Sequence, residues 1–364
     1  RYNTVVSTLM ILLNKMEELP NITTADYRLL LILLNPMAPH ITEELNESLG
    51  FEPICNSTWP TYDEEKTIES QKEVGVQING KLRGSINVNI NDTKEIMQEK
   101  ALANEKTYAV ARIGSTELLL MRQYKEIQLR IRKKYSADAR QQLCQYSGFF
   151  PNDEELINQF AELMIESLKK IDLLGVWYNP MENYFVSQTK GEMLCTPLAG
   201  LEPWYYENPW SRALKGKKVL VVHPFSESIK EQYENHDKIF DNNMIPDFDL
   251  YTVKAVQTIA GQLDDRFTTW FDALDYMYEE CKQIDFDVAI IGCGAYGLPL
   301  AAKLKSHGKQ VIHLGGATQL MFGIKGKRWD EMPEISKYYN EYWVRPNKNE
   351  VVKDGNKVEN GCYW

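Results

Sequence analysis

Short apolar strands alternate with amphipathic helices through the C-terminal half of the chain, and this alternation constrains the fold more than any other feature. Residues 219–222 form an uninterrupted apolar run, which is typical of a strand covered on both faces. Residues 286–291 and 311–314 repeat the pattern, with helical stretches between them. The alternation predicts a mostly parallel sheet with helices on both faces. A first strand, residues 108–113, begins where the pattern changes near Thr107.

The first 106 residues have a different pattern. Apolar residues at helical spacing predict a helix that ends at Pro20. A second helix ends before Pro36, and Pro39 suits the first turn of a third. Further on, two alternating runs flank Asn79-Gly80, the strongest short signal for a β-hairpin, and a helix is expected at 94–105.

These patterns predict an α+β chain of several domains. We expect a partial helical bundle at 1–62, a small truncated α+β module at 63–106 and a Rossmann-like α/β domain at 107–364. Because the chain begins at Arg1 rather than at methionine, we also expect it to be a fragment.

Charge and cysteine content exclude several classes of protein. The chain carries 41 basic and 51 acidic residues, a net charge of −10, which argues against a protein built around non-specific phosphate binding. The longest apolar run, residues 29–34, is far shorter than the ~20 residues of a membrane span. The 6 cysteines form no C-x-x-C pair, so we expect reduced thiols, no zinc site and a cytoplasmic location.

Three sequence segments occur in order in the first part of the chain. Residues 34–45 read L-N-P-M-A-P-H-I-T-E-E-L, residues 59–60 read W-P, and residues 76–84 read V-Q-I-N-G-K-L-R-G. With this order and spacing, residues 1–106 resemble the C-terminal end of bacterial leucyl-tRNA synthetases. The resemblance implies an anticodon-binding bundle and a small module that contacts tRNA.

Lys81 and Arg83 flank the predicted turn and are the candidates for contacts with tRNA phosphates, the alternative being a solvated hairpin tip. The acidic balance of the chain makes us expect weak, salt-sensitive binding. The synthetase signatures H-x-G-H and K-M-S-K-S do not occur in the chain. We therefore expect no aminoacylation by this chain alone, even though its first part resembles leucine–tRNA ligases.

Three further segments mark the second part of the chain. Residues 111–117 read A-R-I-G-S-T-E, residues 287–300 read D-V-A-I-I-G-C-G-A-Y-G-L-P-L, and residues 313–319 read H-L-G-G-A-T-Q. Residues 107–364 thereby resemble bacterial polysaccharide-biosynthesis proteins of the GT-D glycosyltransferase fold. The resemblance implies a nucleotide-sugar donor, a glycan acceptor and a first-strand motif G-D-x-E whose acids hold a divalent metal.

Glu117 matches the glutamate of that motif and is the expected catalytic residue. Ser115 stands where the family has aspartate, and a hydroxyl is a much poorer ligand than a carboxylate for Mn²⁺ or Mg²⁺. Metal affinity should therefore be low. Arg112 is a candidate countercharge for the leaving group; the alternative is that Arg112 and Glu117 simply pair across a strand end.

A G-x-G-x-x-G pattern lies between a predicted strand and helix. NAD sites usually carry an acidic residue after the next strand, but here that strand is followed by Gly315-Gly316, so a nucleotide phosphate or sugar is the better prediction. His223 and His313 end apolar strands, where parallel sheets bind ligands, although histidines there more commonly belong to the core. The expected nucleotide-sugar site comprises Arg112, Gly114, Ser115, Gly292, Gly294, Gly297, His313, Gly315 and Gly316.

Three hypotheses follow from the sequence. The first is a sugar transferase joined to a tRNA-binding fragment, and the second is an RNA-binding module. The third is a non-catalytic relic, or an artefactual fusion, because no familiar pathway joins the two parts.

Overall fold

The structure is a computed structural model that describes residues 2–61, 71–78, 81–89, 107–189, 193–240, 243–353, 355 and 361–364. The chain divides into two compact units, Arg1–Ala101 and Leu102–Trp364. The first contains helices and a hairpin, and the second contains a seven-stranded sheet. None of the helices within the described ranges is long and apolar enough to cross a membrane.

Three helices open the first unit: α1 (Tyr2–Glu17), α2 (Thr24–Leu34) and α3 (Pro39–Ser48). The side chain of Thr23 accepts a hydrogen bond from the Asp26 N–H, and the Asp26 carboxylate accepts one from the Thr23 N–H, so α2 begins with a capping box. Pro39 occupies the first turn of α3, where its missing N–H costs no hydrogen bond. The predicted helical N-terminal region is confirmed.

The hairpin of the first unit consists of β1 (Gln71–Ile78) and β2 (Lys81–Asn89), which pair antiparallel. Ile78 pairs with Lys81, so two residues connect the strands, as an Asn-Gly turn requires. The turn itself, residues 79–80, lies outside the described residues, as does the helix expected at 94–105.

The second unit is built on a parallel sheet, as the alternating pattern predicts. Its strands are β3 (Ala109–Arg112), β4 (Leu173–Val176), β5 (Leu194–Pro197), β6 (Lys218–His223), β7 (Asp249–Lys254), β8 (Val288–Ile291) and β9 (Gln310–His313). They lie in the order β5-β4-β3-β9-β8-β6-β7, and every pair is parallel.

Both faces of the sheet are buried, which explains the apolar run of β6. Leu220 and Val222 belong to the hydrophobic core on one face, whereas Val219 and Val221 belong to the core on the other. Successive side chains of a strand point to opposite faces, so a strand between two helical layers has no solvent-facing position for polar residues.

The helices that cover the sheet vary widely in length. They are α4 (Ser115–Gln128), α5 (Ala137–Tyr146), α6 (Glu154–Leu168), α7 (Glu182–Ser187), α8 (Ser226–Tyr233), α9 (His236–Ile239), α10 (Trp270–Lys282), α11 (Gly297–Ser306), α12 (Thr318–Met321), α13 (Lys327–Asp330) and α14 (Pro333–Ser336).

The strand order creates a crevice between two neighbouring strands. From β6 the chain passes to β7 on one side, and from β8 it passes to β9 on the other side. Because β6 and β8 are adjacent, their connections diverge at the carboxyl ends of these strands. Open α/β sheets bind ligands at such switch points.

We predict that residues 107–364 fold without the first 106 residues. Every residue of the two principal core clusters lies between positions 109 and 364, so removing the first part takes nothing from either core. Limited proteolysis should give a resistant fragment starting within about ten residues of Thr107. The isolated fragment should keep the unfolding midpoint of that unit in the intact chain. Loss of cooperative unfolding on separation would contradict the prediction.

Candidate functional site

A cavity of about 80 Å³ lies at the carboxyl ends of β6 and β8. His223, the last residue of β6, forms one wall with Pro224 and Phe225, and Gly292, Cys293 and Gly294 follow β8 and form another. Tyr296 of the same loop also lines the cavity, and the remaining wall residues come from four other segments: Tyr146, Ser147, Val256, Gln257, Thr258, Ile259, Gly316, Gln319 and Tyr363. The cavity therefore coincides with the switch point of the sheet.

The glycine loop gives the cavity a wall of exposed backbone. A Cβ at Gly292 would lie 2.5 Å from His223 Cδ2 and 2.6 Å from Thr318 Oγ1, so only glycine lets β6 and β8 close here. Gly294 has φ +58°, and its Cβ position faces open space. The N–H groups of Gly294 and Ala295 have no acceptor within the described part of the chain. They precede α11 and are suited to an anion.

At the start of α8, a carboxylate of the protein already accepts the backbone hydrogen bonds that an anionic ligand would take. Ser226 does not cap α8, because the helix begins at Ser226 and no side chain of its own segment caps it. Instead Glu350 accepts hydrogen bonds from the Glu227 N–H (2.8 Å) and the Ser228 N–H (3.2 Å). This distant carboxylate supplies the negative charge that the helix end favours.

Glu117 lies in the first turn of α4. Its carboxylate folds back so that a Cβ at Gly114 would overlap Oε2. Its Oε1 accepts a 2.6 Å hydrogen bond from the Ser147 hydroxyl, and the residue is 7% exposed. Ser147 lines the cavity, whereas Glu117 does not. The helix starts after β6 and β8 both line the cavity, and of these two the Gly292–Gly297 loop keeps backbone donors for a ligand.

The residues at the start of α4 do not fit a divalent metal. Ser115 is exposed at the first position of the helix, and Glu117 is the only carboxylate of the motif. No group of three or more His, Cys, Asp or Glu side chains suited to a metal occurs among the residues that the structure describes. The geometry supports no metal-dependent step.

Arg112 lies beside the cavity at the end of β3. Its guanidinium stacks on Trp177, 4.3 Å from the ring centroid, and Nη1 donates to the Leu314 carbonyl at 3.3 Å. Among the described residues it forms no ion pair with Glu117 within 4.0 Å, so the simple strand-end pair does not occur. Burial lowers the pKa of Arg112, while Tyr363 and Glu202 act in the opposite direction.

Two neighbours of Arg112 were not singled out from the sequence. Tyr363 lines the cavity and packs so closely on Gly316 that a Cβ there would lie 2.5 Å from Tyr363 Cε1. Burial raises the pKa of the Glu202 carboxyl to about 7, although Arg112 partly counters the effect. Neither residue belongs to a motif, and only the folded chain brings them to Arg112.

His223 and His313 have different roles. His223 lines the cavity, and its Nδ1 accepts a 3.0 Å hydrogen bond from the Phe225 N–H, which leaves the proton on Nε2. His313 does not line the cavity. It bonds the Ile291 carbonyl through Nδ1 (3.1 Å) and fills the space that a Cβ at Gly297 would need. The His313 ring thus packs directly on Gly297, the last glycine of the loop.

The predicted site residues therefore fall into groups. Gly292, Gly294 and Gly316 line the cavity. Arg112 and Gly315 are in contact with each other, since a Cβ at Gly315 would lie 3.2 Å from Arg112 Cδ. Gly114, Ser115 and Glu117 lie at the start of α4, connected to the cavity through Ser147.

Comparison with known proteins accounts for both units. The family described as a GT-D fold-like domain matches residues 91–321, more than half of the chain. The chain belongs to this family. A second family, the anticodon-binding domain of tRNA ligase, matches residues 24–98. The chain thus joins an anticodon-binding region to a GT-D glycosyltransferase-like fold.

Curated relatives match the first part of the chain. A leucine–tRNA ligase of Alkaliphilus oremlandii (strain OhILAs) is 43% identical over 111 residues, covering 30% of this chain and 14% of that protein. A leucine–tRNA ligase of Vibrio vulnificus (strain CMCP6) is 38% identical over 111 residues, covering 29% of this chain and 13% of that protein. The chain therefore spans about one-seventh of the length of these relatives.

One solved structure also resembles the chain. It is described as "The highly conserved domain of unknown function 1792 has a distinct glycosyltransferase fold". The likeness covers 70% of this chain and 90% of that one, at 13% identity and a TM-score of 0.36, which is too weak to support a statement about this chain.

We predict that acid destabilises the second unit through its two buried histidines. Burial lowers the pKa of His223 to about 3 and that of His313 to about 4. An unfolded histidine has a pKa of about 6.5, so the stabilising contribution is complete above that pH and is lost as the pH falls toward the folded values. Each histidine should lower the free energy of unfolding by up to ~1.4 kcal/mol per pH unit between pH 6 and 4.

Urea unfolding at pH 7, 6, 5 and 4 measures this slope, and His223→Gln and His313→Gln should each reduce it. Imidazole proton NMR provides a check that does not depend on the variants, because neither ring should titrate above pH 5. Equal slopes in both variants and the parent, or an imidazole midpoint near 6.5, would contradict the prediction.

Proposed function

We propose that residues 107–364 form a nucleotide-sugar-dependent glycosyltransferase of polysaccharide biosynthesis. One observation carries the proposal: the glycine loop, whose Gly292–Gly294 part lines a cavity at the switch point, has N–H groups at Gly294 and Ala295 without an acceptor among the described residues, and Arg112 lies nearby. Backbone donors at a helix start together with a guanidinium are suited to a diphosphate. Membership of the GT-D fold-like family agrees with a sugar-transfer reaction.

The size of the cavity limits how a donor can bind. About 80 Å³ is well below the ~300–1,000 Å³ of a pocket for a whole drug-sized ligand, so it suits one phosphoryl or sugar group. We assign the diphosphate to the side of Arg112 and the glycine loop. The nucleoside would then extend beyond the cavity.

The residues around the cavity support transfer without a metal. Arg112 would stabilise negative charge on the departing diphosphate, and the Nε2–H of neutral His223 would donate a further hydrogen bond. The Glu202 carboxyl, with a pKa of about 7, is our candidate for taking the proton of the acceptor hydroxyl. Glu117, the catalytic residue expected from the family motif, would act by holding Ser147 at the cavity wall.

We predict that Arg112→Gln weakens donor binding about 10- to 100-fold, because the variant loses one or two charge-assisted hydrogen bonds to the diphosphate. Isothermal titration with UDP-glucose, GDP-mannose and dTDP-rhamnose measures this, alongside release of nucleoside diphosphate by donor hydrolysis. Arg122→Gln is the matched control, since Arg122 pairs with Glu126 on the outer side of α4. The proposal fails if none of the donors binds the parent, or if both variants bind equally well.

We further propose that the first unit is a tRNA-binding remnant and that the chain acts in the cytoplasm. The match of residues 24–98 to an anticodon-binding domain supports tRNA binding. All 6 cysteines are free thiols, in agreement with a reducing compartment. Aminoacylation is not proposed, because the chain matches about one-seventh of a leucine–tRNA ligase and lacks its catalytic signatures.

We predict weak tRNA binding that is lost at moderate salt and depends on Lys81 and Arg83. Replacing both residues by alanine should reduce the slope of log Kd against log salt concentration by about 2, since each phosphate contact contributes about 1 to that slope. Filter binding at several salt concentrations measures this. The matched control replaces Lys133 and Lys134, two exposed lysines of the second unit. Binding that resists salt or that responds equally to both double variants would contradict the prediction.

A further inference from the structure

A second hollow adjoins the cavity. It has a volume of about 390 Å³, within the ~300–1,000 Å³ range of ligand pockets, and lies between segments 149–152 and 258–268. We call it the side cleft, defined by Phe150, Asn152, Gln262, Asp265, Phe267 and Thr268. No motif of the sequence and no matched family assigns it a role.

Thr258 joins the side cleft to the cavity. It lines both hollows and is 2% exposed. Its hydroxyl donates to the Gly148 carbonyl at 2.6 Å and lies 3.1 Å from the Tyr296 hydroxyl, so it forms a fixed ridge between them. A ligand in the side cleft would therefore reach a group held in the cavity across one residue.

The charges on the two sides of the cavity differ. Arg112 lies on the side of Gly315 and Tyr363. On the same side the Arg328 guanidinium stacks on Tyr363, 5.1 Å from the ring centroid. In contrast, the two arginines that border the side cleft are already engaged: Arg266 binds both oxygens of Asp264, and Arg140 bonds Asn152 and lies 3.5 Å from Glu154. A diphosphate is attracted to the first side and not to the second.

The acidic residues strengthen this contrast. Asp264 is neutralised by Arg266, whose Nε and Nη2 donate to its two oxygens at 2.9 and 2.6 Å. Asp265 is exposed and forms no ion pair in the described ranges of the chain. The side cleft consequently presents one uncompensated carboxylate, which repels anionic ligands.

The remaining groups are suited to hydroxyl-rich ligands. The Asn152 Oδ1 is occupied by Arg140 Nε at 2.9 Å, which leaves its NH₂ as a donor. Gln262, Thr268 and Asp265 add amide, hydroxyl and carboxylate groups. The exposed Leu263 offers an apolar surface for a sugar ring, beside the half-buried Phe267 whose ring carries the Arg266 guanidinium 4.9 Å from its centroid.

Building on the proposed function, we infer that the side cleft is the acceptor subsite and binds an uncharged glycan. The hydroxyl oxygen of the glycan, reaching over Thr258, forms the bond to the anomeric carbon of the donor sugar. The bond from that carbon to the diphosphate breaks, and its electron pair leaves with the diphosphate. The hydroxyl proton passes through water to the Glu202 carboxylate, the base named in the proposed function.

Two substitutions test the subsite in the full chain. Thr268→Trp fills the side cleft from an exposed position, and Asp265→Ala removes a hydrogen-bond acceptor. Asp249→Ala is the matched control. Asp249 is also exposed but lies at the amino end of β7, whereas the side cleft lies beyond the carboxyl end of that strand. Circular dichroism verifies folding. The probes are hexasaccharides of β-1,4-glucose, α-1,4-glucose and N-acetylglucosamine, a sulfated hexasaccharide and a serine-containing peptide.

We expect at least one uncharged hexasaccharide to bind. Asp265→Ala should weaken its binding about tenfold, the usual effect of a lost hydrogen bond to a charged group, and Thr268→Trp should abolish it. Hydrolysis of the nucleotide-sugar donor should stay within about twofold of the parent in both variants. Asp249→Ala should change neither property.

Other outcomes overturn the inference. These are no binding of any uncharged hexasaccharide, tighter binding of the sulfated probe or the peptide, or loss of donor binding in Thr268→Trp. If donor hydrolysis is intact while glycan binding ignores both substitutions, the acceptor subsite is wrong and the proposed function stands. If no donor binds while glycan binding responds as expected, the proposed function fails and the side cleft remains a glycan site.

Discussion

The close contact between β6 and β8 is the constraint on which the site depends. The two strands pair in register from Val219–Val288 to Val222–Ile291, and the Gly292 N–H extends the pairing to the Val222 carbonyl at 2.8 Å. Any side chain at Gly292 would collide with His223 and Thr318. This contact brings the ends of both strands to one cavity and fixes His223 in its wall.

The position of the cavity and one internal carboxylate determine which helix start is open to a ligand. Three helices begin near the same edge of the sheet, and each start favours negative charge. Glu350 occupies the start of α8, and Glu117 folds back on the start of α4. The glycine loop before α11 receives no such carboxylate in the described part of the chain, which makes it the natural position for a ligand phosphate.

The local patterns of the sequence predicted most of the elements. Residues 219–222 lie in β6, the alternating runs form the β1–β2 hairpin, and Pro39 begins α3. These signals depend on neighbours in the chain, so they can be read without the fold. By contrast, the carboxylate at the start of α8 comes from Glu350, more than one hundred residues away, so no local pattern predicts it.

What the sequence by itself determined is the class of each unit and the glycine loop, since strand alternation, helix periodicity and the steric freedom of glycine are local properties. Only the tertiary structure decided the strand order, and with it the switch point between β6 and β8. It also brought Tyr363 and Glu202 to Arg112, turned Glu117 toward Ser147 and joined the side cleft to the cavity at Thr258. The physical reason is that each of these contacts joins segments far apart in the chain. The formation of these contacts depends on the packing of both faces of the sheet, and no local pattern of residues encodes that packing.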